Sequence, residues 1–82
     1  MPGIARVGLD TAGTGEIIQG GGQTSVYVNN KLISVIGDLV TGGDTMAEGS
    51  NNVFVGGIGV CRAGDKDTEN DSATGSSDTF AN

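Results

Sequence analysis

The stretch SVYVNNKLISVIGD, Ser25 to Asp38, decides the fold, because it returns as NVFVGGIGVCRAGD, Asn52 to Asp65, displaced by 27 positions without a gap. Val26-Tyr27-Val28 becomes Val53-Phe54-Val55, Asn29-Asn30 becomes Gly56-Gly57, and Gly37-Asp38 becomes Gly64-Asp65. Each copy reads as a β-hairpin: a short apolar or aromatic run, two residues suited to positive φ, a second run, then a Gly-Asp turn. Repetition at this period marks similar supersecondary units assembled into one small body.

The same unit is split between the ends of the chain. Ile4-Ala5-Arg6-Val7-Gly8-Leu9-Asp10 reads as its second half, with Leu9 inserted before the aspartate. The final Gly75-Ser76-Ser77-Asp78-Thr79-Phe80-Ala81-Asn82 matches the first half, as seen at 49–56 and 22–29. The ends are therefore expected to pair, making three hairpins; the alternative is a frayed tail. Set about a pseudo-threefold axis, the hairpins would share a core of Val26, Val28, Val35, Ile36, Val53 and Val55, joined by Ile4 and Val7. A side-chain period of two puts Tyr27, Phe54 and Phe80 on the opposite face, but alternation does not say which face is inside.

The links are glycine-rich. Thr11 to Gly15 reads as a turn, Glu16-Ile17-Ile18-Gln19 as a short strand, and Gly20 to Gly22 as a corner. Thr45-Met46-Ala47 stands roughly where Ile17-Ile18-Gln19 stood and reads as an edge strand. A single helical turn over 44–48, capped by Asp44, is the alternative. Residues 66–72, with three acids and no apolar side chain, read as a solvated loop.

Eighty-two residues make one small domain, 1–82. Hydrophobic residues are only 35% and glycines number 16, so the core is thin and needs a metal, a partner or tight hairpin closure. A single cysteine excludes an intramolecular disulfide. No run approaches the roughly 20 apolar residues of a membrane span, and Met1-Pro2-Gly3 opens no signal peptide, so stable membrane insertion is not expected. A net charge of −6 without a basic patch argues against nucleic acid. The acidity serves solubility or complementarity to a partner.

Catalytic chemistry is poorly supplied. Histidine is absent, and Cys61 has no base beside it in sequence and takes the position of Ser34 in the other copy, which reads as a small strand residue. The serines lie in Gly-Ser corners, and Gly20 to Gly22 lacks the Gly-Lys-Ser/Thr of a phosphate loop. The chain reads as a non-enzyme. Asp10, Asp38 and Asp65 end equivalent segments; each either accepts backbone N–H groups in its own turn or joins the others around a hard cation.

The segments MPGIARVG, VYVNNKLISVIGD, EGSNNVFVGGIGVCRAGD and TGSSDTFAN resemble those of PAAR-repeat proteins, over residues 1–38 and 47–82. The resemblance implies an all-β, small, pseudo-threefold cone of short β-hairpins with the terminal half-repeats pairing. It also implies a structural role: a tip capping and sharpening the trimeric β-helical, membrane-piercing spike of a contractile phage tail or a type VI secretion system. The expected partner is that spike, one copy of this chain per trimer, with transient contact with the target envelope. The short chain favours a virion baseplate over an effector-loaded secretion tip. A free-standing adhesin or surface-binding module is the alternative. The partner-binding candidates are Val26, Tyr27, Val28, Val53, Phe54, Val55 and Phe80. The family holds a metal, usually zinc, near its apex with three histidines and one cysteine. This chain has no histidine, so no metal ligand is carried over and no cofactor is predicted; another ion held through carboxylates remains open.

Overall fold

The computed structural model describes residues 2–13 and 15–82. Met1, and Thr14 of the expected Thr11–Gly15 link, lie outside the described residues. Seven short strands are formed: β1 (Ile18–Gly20), β2 (Tyr27–Val28), β3 (Lys31–Leu32), β4 (Leu39–Val40), β5 (Asp44–Thr45), β6 (Phe54–Val55) and β7 (Ile58–Gly59). Among the described residues there is no helix; in place of the helical turn offered for 44–48 stand β5 at Asp44–Thr45 and a bridge from Met46 to Asp67.

β2–β3 and β6–β7 are the two repeated hairpins, with Tyr27 opposite Leu32 and Phe54 opposite Gly59. Their turns need two consecutive positive-φ residues, and Asn29 (51°) and Asn30 (64°) meet this as Gly56 (59°) and Gly57 (81°) do. The third hairpin joins the two ends. Gly3 bridges Phe80, the Ile4 N–H donates to the Thr79 carbonyl at 2.9 Å, and the Ala81 N–H donates to the Pro2 carbonyl at 3.0 Å. The tail is thus docked. A third small sheet, β1–β4–β5, connects the first two of the loops that follow the Gly-Asp turns, and the bridges Met46–Asp67 and Ala12–Ala73 tie in the third.

Threefold repetition is written in the backbone hydrogen bonds. The Ala5 N–H donates to Cys61 O (2.9 Å), Cys61 N–H to Ser34 O (2.9 Å), and Ser34 N–H to Ala5 O (3.0 Å), closing a ring among equivalent residues. On one side of this ring Ile4, Ile33 and Val60 pack with Val28 and Ala81. On the other, Ile18, Met46 and Ala73 pack with Ala5, Cys61, Ala12 and Val40. The two clusters divide a thin core among three contributors.

The corners repeat as well. The Ser50 Oγ accepts from the Asn52 and Val53 N–H groups, and the Ser76 Oγ from those of Asp78 and Thr79. In the first unit Gln23 Oε1 takes this part, accepting from Ser25 and Val26.

The expected core needs correction at two positions. Val26 and Ile36 are 38% and 37% exposed, whereas Ile4, Val28 and Val35 are buried. Val7, Val53 and Val55 are half-buried at the core margin. Val26 lies outside the two-residue strand, so alternation does not carry it inward. The largest buried side chains of the second cluster, Ile18 and Met46, come from the links.

Candidate functional site

Tyr27, Phe54 and Phe80 occupy equivalent hairpin positions and are 60%, 55% and 46% exposed. Their aromatic face is outside; Val28, Val53 and Val55 of the same runs turn toward the core, whereas Val26 does not. Of the partner-binding candidates, Val28 is buried and Val53 and Val55 are half-buried, so the accessible set is Val26, Tyr27, Phe54 and Phe80. Leu9, Ile17 and Leu39 add exposed apolar side chains elsewhere.

The three turn aspartates do not converge on one another's carboxylates. The Asp38 Oδ2 accepts from the Val35 N–H at 2.9 Å and its Oδ1 from the Gly22 N–H at 2.7 Å. Asp65 accepts from the Arg62 N–H and pairs with its guanidinium at 2.9 Å; Asp10 does the same with Arg6 at 2.7 Å. These bonds raise both arginine pKa values, chiefly through the side-chain hydrogen bonds to the aspartates. The turns keep the same contact despite inserted Leu9, which is half-exposed. Each aspartate thus accepts from an amide of its own turn, and Asp38 and Asp10 also tie in Gly22 and the Thr74 hydroxyl.

A different set of acids meets. Glu16, Asp44, Glu69 and Asp71 each bring one carboxylate oxygen within 4.8 Å of all the others. Glu16, Asp44 and Asp71 stand two residues before Ile18, Met46 and Ala73, which are equivalent by their hydrogen bonds: each accepts from the turn glycine (Gly8, Gly37, Gly64) and donates to the turn aspartate. The three carboxylates are therefore symmetry-related members of the three loops. The alignment of Met46 with Ile18 already implied that Asp44 matches Glu16. What hid Asp71 was the lack of an apolar run in 66–72, which read as solvent-facing throughout. Instead Asp67 is buried at the position of Ala12 and Val40, its Oδ1 accepting from the Glu69 and Asp71 N–H groups at 2.9 Å.

The PAAR-motif family model matches residues 7–73. The chain belongs to the PAAR-motif family. No curated protein matches it in sequence. The PAAR motif is that of spike-tip proteins of contractile injection systems, a structural family. No helix among the described residues is long and apolar enough to cross a membrane.

The zinc usual in PAAR proteins does not fit these residues. With histidine absent, Cys61 would be the sole soft donor, but its Sγ is fully buried and donates to the Glu48 carbonyl at 3.3 Å. Burial pushes its thiol up to about 12, so the thiolate that zinc needs is strongly disfavoured. Cys61 belongs to the ring around the axis, with Ser34 and Ala5 as its counterparts, and is separate from the acidic cluster.

Proposed function

We propose that this PAAR-motif chain is the tip of a contractile injection apparatus, of phage-tail or type VI secretion type, seated as one copy on the blunt end of a trimeric β-helical spike. Its work is mechanical and involves no catalysis. The observation that supports this is the exposure of Tyr27, Phe54 and Phe80 at three equivalent positions, around a backbone ring that closes on itself. A β-helix ends in unpaired N–H and C=O groups over an apolar interior, and both need a cover. A single chain with internal threefold repetition offers one patch to each of three identical edges. Val26, next to Tyr27 in sequence, is also exposed. Contact with the target envelope is transient and requires no span.

Binding rests on apolar area and backbone hydrogen bonds, so it should survive raised salt. The test is stoichiometry with the cognate spike trimer by light scattering, followed by Phe54→Glu. One chain per trimer is expected, with affinity reduced about 30-fold or more, as for an interface hot spot. Three chains per trimer, or no binding by the folded chain, would remove the capping mechanism. Glycan binding without spike binding would then establish the adhesin reading.

A further inference from the structure

We propose that the acidic cluster formed by the three post-turn loops is a site for a hard divalent cation, Ca²⁺ in preference, bound by Glu16, Asp44, Glu69 and Asp71. The inference does not depend on the capping role. It replaces the family's nitrogen-and-sulfur metal chemistry with an all-oxygen donor set, which suits Ca²⁺, Mg²⁺ and Mn²⁺ rather than zinc.

Four observations carry it. The first is symmetry: the folding of three separate loops brings Glu16, Asp44 and Asp71 together, with Glu69 added from the third loop.

The second is the pair of orphaned oxygens. Asp44 is only 4% exposed, and its Oδ2 has no hydrogen-bond partner. Asp67, outside the set of four, is 3% exposed; its Oδ2 is also unpartnered, and its carboxyl lies against Asp44. Two buried, unpartnered acceptors on neighbouring carboxyl groups need a proton or a cation beside them. The two ion pairs found among the described residues, Arg6–Asp10 and Arg62–Asp65, lie in the turns and do not include any of these acids.

The third is distance. Oxygens within 4.8 Å of one another fit around one Ca²⁺, whose Ca–O bonds of about 2.3–2.6 Å allow opposite ligands to stand about 4.6–5.2 Å apart. Mg²⁺, at about 2.0–2.1 Å, would require the cage to contract. Four carboxylates, some bidentate, with water completing the shell, reach the six to eight oxygens that Ca²⁺ takes.

The fourth is the cradle. A Cβ on Gly42 would lie 2.6 Å from the Glu16 Oε2, and one on Gly13 would lie 2.7 Å from Glu16 Oε1 and 2.8 Å from Asp71 Oδ2. Bare glycine backbone lets the carboxylates close inward.

The test uses the full chain, stripped with EDTA and titrated calorimetrically with CaCl₂, MgCl₂ and ZnCl₂ in parallel. One Ca²⁺ per chain is expected, bound more tightly than Mg²⁺ or Zn²⁺. At free Ca²⁺ about 100 times its Kd, the unfolding constant should fall about 100-fold, read as a raised melting midpoint. Asp44→Asn and Glu16→Gln should each weaken Ca²⁺ about tenfold or more by removing a ligand charge, while circular dichroism stays native. A folded wild-type chain without a one-to-one Ca²⁺ isotherm overturns the proposal whatever the variants do. So does zinc binding tighter than Ca²⁺, or Ca²⁺ binding undiminished in both folded variants.

Discussion

Removing residues 75–82 should destabilise the whole molecule rather than trim a tail. The truncation takes away three backbone hydrogen bonds between the ends: Ile4 N–H to Thr79 O, Ser76 N–H to Ile4 O and Ala81 N–H to Pro2 O. At a net of about 0.5–1.5 kcal/mol each, these contribute about 1.5–4.5 kcal/mol. Buried Ala81 leaves the cluster of Ile4, Val28, Ile33 and Val60, and Ser50 loses the bond from its Oγ to the Asn82 carbonyl. A domain of this size has a total stability of about 4–12 kcal/mol, so the loss is a large fraction of the whole. With about 4–8 °C per kcal/mol for a small domain, a loss of about 3 kcal/mol lowers the melting midpoint by about 12–24 °C. Thermal unfolding of the full and truncated chains, followed by circular dichroism, measures it. A midpoint within about 2 °C of the full chain would refute the closure of the ends as a stabilising feature.

Two further outcomes test the interior and the turns. Cys61→Ser should cost no more than about 1–3 kcal/mol in urea unfolding and leave the fold intact, since Ser34 and Ala5 already fill equivalent places. The native thiol, fully buried and pushed up to about 12, should resist a thiol reagent at pH 8 and react only on unfolding. Asn30→Ala, at a φ of 64°, should cost about 1–2 kcal/mol. Asn30→Gly should be within a few tenths of a kcal/mol of wild type, as Gly57 stands there in the second hairpin. Equal melting of the two Asn30 variants would remove the backbone argument.

The sequence by itself determined the unit and its number: a run of Val-aromatic-Val, two residues able to adopt positive φ, and a Gly-Asp turn, repeated twice and split once across the ends. Those are local requirements, set by turn chemistry and side-chain period, and a linear reading reaches them. It also determined that zinc would lack its usual ligands, because residue types are countable without a fold. Only the tertiary structure decided that the aromatics face outward, since alternation is indifferent to which face a partner or core covers. Only it showed that Ile18 and Met46, from links that looked like connectors, fill the second half of the core. The same holds for the acids. Asp10, Asp38 and Asp65 looked like a set because they end similar segments, yet each is held separately, Asp38 by the amides of Val35 and Gly22, and Asp10 and Asp65 by the amide and guanidinium of Arg6 and Arg62. Glu16, Asp44 and Asp71 come from stretches with little sequence likeness, and they meet because three loops anchored by equivalent backbone hydrogen bonds must approach the same axis.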